Sequence, residues 1–469
     1  MKEDGGDSPY YDMCHRQNLQ TRSKTEDIQK YQQIQHILEE VLKDISPDNK
    51  EKTELREFSN KVIEELKKIL EYPAIDIVQV GSTARDSNLK NDYDIDIFIR
   101  FEKNTEKEQL KEIGLELGKK VVEKLNGKHW IEYAEHPYIS AEVDKYSLDI
   151  VPCYKIDWNE KIISAVDRTP LHNEFLKERL EKRNLCDDVR LLKKFLKGIG
   201  IYGSDLKTKG FSGYLCELLI IHYNGFINLL KNAKDWKIGQ KIILEDIFKI
   251  YNLDEDYKFK KFNDPLIVYD PVDLNRNVAA ALSKENLCKF IFYSHQFLEN
   301  PSKDFFYDYR GKLRDILNDR EKGLLITLKI NRNKDIVDDV IYPQMDKLQK
   351  SINKVLKEND FEFLRYCNYA DDDFCYLSWE FLIYELPNVK INEGPPVFDK
   401  ERVNKFIKKN DKYFIKNCKV CAYTTRKYKN VHSLFNDMIN GKLKGFISYP
   451  KYVHPENAIL QQGIFIDRN

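Results

Sequence analysis

Asp94 and Asp96 stand one residue apart in the apolar run DIDIFI, and the pair Gly81-Ser82 shortly precedes them. On a β-strand, residues two apart point to the same face. The two carboxylates therefore project together, while Ile95, Ile97 and Ile99 face the other way. Like charges so placed repel unless something positive sits between them. Two readings follow: a charged, solvated edge strand, or ligands for Mg²⁺, which takes hard oxygens from one or two carboxylates together with phosphate oxygens and water. The context bears on the choice. A glycine permits close backbone approach, and the amides and hydroxyl of Gly81 and Ser82 can bind phosphate oxygens. Arg85 follows three residues after Ser82 and can meet the same anion with a bidentate guanidinium. A third acid, Asp149, interrupts the largely apolar YSLDIVPCY, where a carboxylate is costly unless it is paired or binds metal. If its strand neighbours the DID strand, three carboxylates converge. Two ions, one on an attacking oxygen and one on departing phosphates, are what in-line nucleotidyl transfer requires.

Elements must hold those groups. Apolar residues recur at helical spacing from Ile28 to Leu42 and again from about Lys50 to Leu70. IDIVQV reads as a strand, then come the Gly-Ser turn and the strand DIDIFIR. Residues 105–125 read as a helix, and IEYAEHPYISAEVDKYSLDIVPCY alternates like a hairpin. Residues 28–155 thus form an α/β catalytic unit with its acids on sheet strands. Residues 156–299 read as mostly helical. In 300–469, GLLITLKI reads as a strand, PQMDKLQKSINKVLKEN as a helix and FEFLRYCNYADDDFCYLSWEFLIYEL as a hairpin, an α+β arrangement. Residues 1–27 are polar and aperiodic, and read as a mobile tail. The overall expectation is an α+β multidomain protein.

Bulk composition narrows the classes without choosing among them. The 469 residues are 42% hydrophobic and 12% aromatic, enough for packed cores. Lys plus Arg and Asp plus Glu both number 77, so net charge is silent about nucleic acid, whose binding follows local field. Nine cysteines, odd in number and scattered, suit a reducing compartment. Cys418 and Cys421 form a lone CxxC, whereas a zinc site usually needs four ligands, so both read as buried thiols. No apolar signal-peptide core and no run of about 20 apolar residues is present, and a soluble cytoplasmic protein without a membrane partner is expected. The stretch 408–430, KKNDKYFIKNCKVCAYTTRKYKN, interleaves lysines with aromatics in a way that suits RNA, or an alternating strand with polar residues outward.

The strings GSTAR…DIDIFI and HPYISAEVDKYSLDIVPCYKI resemble the nucleotidyltransferase superfamily. Narrower strings resemble the archaeal, class I CCA-adding enzymes: AVDRTPLHNEFL, DDVRLLKKFLKGIGIYGSDLKTKGFSGYLCELLIIHY and DPVDLNRNVAAALSKENLCKFIFYSHQFLENPSKDFF, with YPQMDKLQKSINKVLKENDF and GPPVF towards the C-terminus. The likeness covers nearly everything from residue 28 onward. It implies a palm-like head with a mixed sheet, a helical neck and an α+β body and tail. It also implies addition of C, C and A to a tRNA 3′ end from CTP and ATP, with Mg²⁺ and without a nucleic-acid template. A tRNA bound along its acceptor stem and T-arm side is implied as partner, and a homodimer is compatible with it.

Position by position, the resemblance makes Asp94 and Asp96 metal ligands and Asp149 the third catalytic carboxylate, beside the attacking hydroxyl. It places Gly81, Ser82 and Arg85 at the triphosphate. It lines the triphosphate or sugar with His172, Lys193 and Tyr202, and gives Arg276 to base reading. Each of these last four also has a purely structural reading: a helix-start or core histidine, a solvated lysine face, a packing tyrosine, a salt-bridged arginine. Two positions depart from the family pattern. Asp86-Ser87 stand where Gly-Thr is usual, which brings a negative charge towards the triphosphate or out to solvent, and Asn392-Glu393 replace a histidine before GPP. A poly(A)- or oligoadenylate-type polymerase and a weakened RNA-binding module are the rival readings.

Overall fold

The structure is a computed structural model that describes residues 28–133, 136–254, 256–307 and 323–463. The expected tail 1–27 lies outside the described residues. The chain divides into two compact units, 1–313 and 314–469.

The first unit opens with helix α1 over 28–45 and α2 (Asn49–Ile69), the latter capped by the Asp48 carboxylate, which accepts from the Glu51 amide. Then come β1 (Ala74–Val80), the one-turn helix α3 (Gly81–Ala84), β2 (Asp94–Phe101) and α4 (Lys107–Lys124). The strands β3 (Lys128–Glu132), β4 (Tyr138–Val143) and β5 (Tyr146–Tyr154) complete a five-stranded sheet in the order β1-β2-β5-β4-β3. It is mixed: β2 and β5 run parallel and the other pairs are antiparallel.

The alternation of β2 decides which face does what. Ile95, Ile97, Ile99 and Phe101 pack with Leu148 and Ile150 into a core shared with Leu55, Val62, Leu66, Leu110, Leu117 and Val121 of α2 and α4. The opposite face carries Asp94 and Asp96 above a small apolar floor of Phe98, Val151, Cys153 and Val80. A one-residue slip of register would send these acids into the apolar core, so the isoleucines pin the acids outward.

The helices that follow are α5 (Arg168–Arg183), α6 (Cys186–Gly198), α7 (Gly213–Tyr223), α8 (Phe226–Ala233), α9 (Glu245–Ile250), α10 (Lys284–Glu299) and α11 (Asp304–Tyr307). Most of them pack with α1 around Phe195, Phe211, Phe226, Phe290, Phe297 and Phe306. A parallel pair, β6 (Gln240–Ile242) and β7 (Leu266–Val268), lies among them, in a region expected to be mostly helical with no strand singled out. Helix α7, with GYLCELLIIHY, is apolar nearly all round and correspondingly buried.

The second unit has its own core. β8 (Leu324–Asn331), β9 (Glu362–Ala370), β10 (Phe374–Ile383) and β14 (Ala458–Gln462) form a sheet ordered β14-β8-β10-β9, covered by α12 (Asp338–Glu358) and α14 (Val431–Ile439). A three-stranded sheet, β11 (Val389–Pro396), β13 (Lys419–Thr425) and β12 (Tyr413–Lys416), carries α13 (Lys400–Ile407). The CxxC runs from the β12–β13 turn into β13. Cys421 is buried as expected, but Cys418 is exposed, with positive φ in the turn. That corrects the reading of both as buried thiols.

Candidate active site

The parallel register of β2 and β5 sets Asp96 directly opposite Asp149 and Asp94 opposite Ser147. Three carboxylates thereby share one sheet face. Burial pushes the Asp96 carboxyl up to about 7, with Asp149 and Asp94 adding to the rise and Arg85 opposing it. Burial likewise raises Asp94, with Asp92 adding to it, and raises Asp149, whose Ser140 neighbour works the other way. Ser140, the register partner of Asp149 on β4, donates its hydroxyl to Asp149 Oδ1 at 2.7 Å and fixes that carboxylate. The face is therefore over-supplied with negative charge and hard oxygen donors. This composition suits a divalent cation, and the residues present fit one. Among the described residues no three or more His, Cys, Asp or Glu side chains are grouped so that they could already hold a metal ion.

Gly81 opens α3 at the edge of this face, with φ of 82°. A Cβ there would lie 2.0 Å from Asp96 Oδ2, so only glycine admits the carboxylate so close to the backbone. Thr83 ties α3 to β2 by donating to the Asp94 carbonyl at 3.0 Å. Ser82 is half-buried, and its carbonyl accepts from the Ser87 amide at 3.0 Å.

The basic residues expected at the triphosphate are placed behind this loop. Arg85 donates from Nε and Nη2 to the two oxygens of Glu217, at 3.0 and 2.8 Å, and from Nη1 to Asn173 Oδ1 at 2.7 Å. Ser87 donates to Glu217 Oε1 at 2.7 Å. Burial pushes the Glu217 carboxyl up, but Arg85 and Lys193 outweigh it and hold the group below the usual range. Lys193 is buried, and its ammonium donates to the Ser87 carbonyl at 2.9 Å. The solvated-face reading of Lys193 is thereby corrected. Tyr202 is half-buried, and its hydroxyl lies 3.3 Å from where a Gly213 Cβ would be.

A second knot gathers the remaining two. Asp270, fully buried, accepts from His172 Nε2 at 3.0 Å, Tyr214 OH at 3.1 Å, Arg276 Nη1 at 2.7 Å and the Val272 amide at 2.9 Å. Burial pushes Asp270 up, yet this ring of donors holds it well below the ordinary carboxylate range. Because the carboxylate is ionised, His172 carries a proton on Nε2 and stacks on Tyr214 at 4.1 Å. Sequence reasoning missed both Glu217 and Asp270. The signal was present in LCELLII and IVYDPV, an acid within an apolar stretch, as at Asp149.

Asp86 adopts φ of 51°, a conformation that asparagine and aspartate tolerate better than other non-glycine residues. Its carboxylate is paired with Lys52 at 2.7 Å and with Arg190. The added charge is thus neutralised locally.

Comparison with known proteins fits this arrangement. Residues 59–172 match the family model "Nucleotidyltransferase domain", 187–307 "tRNA nucleotidyltransferase, second domain", and 323–446 "CCA-adding enzyme, C-terminal domain". The chain is 64% identical over 432 residues to a CCA-adding enzyme of Methanococcus maripaludis strain S2, covering 92% of this chain and 97% of that one. It is 58% identical over 428 residues to a CCA-adding enzyme of Methanocaldococcus jannaschii, covering 91% and 95%. This chain belongs to the CCA-adding enzyme family. Membership makes it a nucleotidyltransferase, and the nucleotidyltransferase family is metal-dependent. Further away, the CCA-adding enzyme of Archaeoglobus fulgidus is 39% identical over 403 residues, 84% of this chain and 87% of its own. A solved structure of the RNA terminal uridylyl transferase Cid1 covers 58% of this chain and 97% of its own, at 16% identity and a TM-score of 0.45, too slight a likeness to argue from. No helix among the described residues is long and apolar enough to cross a membrane.

Proposed function

We propose that this member of the CCA-adding enzyme family lengthens the 3′ end of tRNA by C, C and A in turn, drawing on CTP and ATP without a nucleic-acid template. The observation that carries the reading is the β2–β5 register, which sets Asp96 beside Asp149 with Asp94 on the same face. At each step the tRNA 3′-hydroxyl gives up its proton and its oxygen bonds to the α-phosphorus of the nucleotide. The α–β phosphoanhydride bond breaks, and pyrophosphate departs. Asp94, Asp96 and Asp149 would hold two divalent ions, Mg²⁺ in this reading. When bound, they would neutralise phosphate charge and acidify the attacking hydroxyl. Asp149, steadied by Ser140, sits beside that hydroxyl, and the Gly81 and Ser82 backbone receives the triphosphate.

Arg85 and Lys193, buried behind the loop, give the triphosphate site its shape and its positive field. His172 and Tyr202 line the sugar and phosphates. Arg276, anchored on Asp270, faces the base. The tRNA binds along its acceptor stem and T-arm side. The lysines of 408–430, with the exposed rings of Tyr413 and Tyr423, offer backbone charge and stacking surface. The cytoplasm, where tRNA and nucleotides meet, is the site of action.

Incorporation of labelled CTP into tRNA lacking its terminal CCA tests the carboxylate assignment. Asp94→Ala and Asp96→Ala should each lose at least about a thousandfold in rate. Full activity in either variant contradicts the assignment.

A further inference from the structure

The loop 85–88 is gripped from behind by one helix, through contacts that no phosphate-binding role requires. Arg190, 2% exposed, donates from Nη2 to both the carbonyl and the Oδ1 of Asp86, and from Nε to the Asn88 carbonyl at 2.9 Å. One turn on, Lys193 takes the Ser87 carbonyl between them. Three successive carbonyls, 86, 87 and 88, are thus bound by two buried cations on the same face of α6. A third cation, Lys52 on α2, holds the other oxygen of the Asp86 carboxylate. The amide of Ser87 bonds back to the carbonyl of Ser82 at 3.0 Å, which ties the held segment to α3.

We infer that Asp86 and Arg190 form a positioning pair that fixes the nucleotide loop of this chain between α2 and α6. The inference rests on the reading that this loop receives the triphosphate. Where the family pattern has glycine at this place, φ is free but no carboxylate is offered to α2 or α6. Here the aspartate accepts the left-handed conformation and replaces backbone freedom with two ion pairs. A loop held in its bound shape before nucleotide arrives loses less entropy on binding. The effect therefore falls on nucleotide affinity rather than on the chemical step.

The experiment uses the full-length protein with tRNA lacking CCA, Mg²⁺ and varied CTP or ATP, together with equilibrium binding of CTP and thermal melting. Asp86→Gly keeps φ accessible on a half-exposed side chain, so the variant folds. It should raise KM and the CTP Kd by about three- to tenfold with kcat within about twofold. Asp86→Asn, which retains an acceptor, should recover part of that loss. Arg190→Gln should shift KM in the same direction, and the double variant Asp86→Gly/Arg190→Gln should exceed the larger single effect by less than about twofold. Unchanged KM and Kd in Asp86→Gly overturn the inference, as do losses in Arg190→Gln and Asp86→Gly that simply multiply. If wild-type protein incorporates nucleotide normally in those cases, only the positioning role has failed. Absence of incorporation by the wild type would instead remove the functional reading beneath it.

Discussion

Asp96 is a residue whose charge is costly in the metal-free protein. Burial, with Asp149 and Asp94 beside it, raises its carboxyl from an ordinary value near 3.8 to about 7. A folded-state pKa above the unfolded one means that the folded protein binds the proton more tightly. The resulting stabilisation is complete below about pH 4, declines as pH rises through the window to about 7, and is gone above it. Without divalent ion, melting temperature should therefore fall between pH 5 and pH 7.5 more steeply in wild type than in Asp96→Asn. At pH 8 the Asn variant should melt about 3 °C higher, while its incorporation is abolished; calorimetry across pH checks both. Asp94, Asp96 and Asp149 were legible in the sequence because an acid in an apolar strand is conspicuous. The destination of Arg85 was not, because nothing local to GSTAR reveals that Glu217, more than a hundred residues on, will take its guanidinium. Asp86 was noticed as out of pattern, but the meaning of its charge depends on Lys52 and Arg190, which only the fold brings to it.

Close approach between elements determines what the site tolerates. α3 comes so near β2 that a methyl group at Gly81 would collide with Asp96, and φ of 82° would be strained as well. Gly81→Ala should cost at least about a hundredfold in kcat/KM, with melting temperature changed far less; steady-state kinetics beside a melt distinguishes the two. Gly198, at the end of α6, shows the structural counterpart. A Cβ there would lie 2.2 Å from the Phe305 carbonyl of α11. Gly198→Ala should destabilise by about 2 kcal/mol in urea denaturation through backbone displacement, away from the acids. The long elements were readable from periodicity: α2, α4, β1, β2, the β4–β5 hairpin and the β9–β10 hairpin. The three-residue strands β6 and β7 were not. A segment so short carries no periodicity, and its pairing is set by the helices around it.

For the whole molecule, equal numbers of acids and bases hide an uneven field. Lysines concentrate in stretches such as 408–430, whereas acids line the β2–β5 face; in the proposed function the first meets tRNA and the second the nucleotide. Raising salt from about 50 to 200 mM should weaken tRNA binding by at least about tenfold, as counterions compete for the phosphate contacts. The KM for CTP, a ligand of a confined site, should change several times less; titrations at both salt levels check it. Family-level strings made the multidomain α+β plan visible along the chain. They could not show that the sheet core around Ile97 and the helical core around Phe195 and Phe290 would share one compact unit while the core around Trp379 and Phe435 forms another, because packing between distant segments leaves no mark on any one of them.

The most direct measurement is the sequence of the product end. Purified protein, Mg²⁺, CTP and ATP are given tRNA ending before, within or after CCA, and the extended 3′ ends are sequenced. Addition of just the missing nucleotides, C, C and A in order and no further, is the result predicted. Runs of A on any RNA, or no extension by a protein that binds tRNA, would contradict the account.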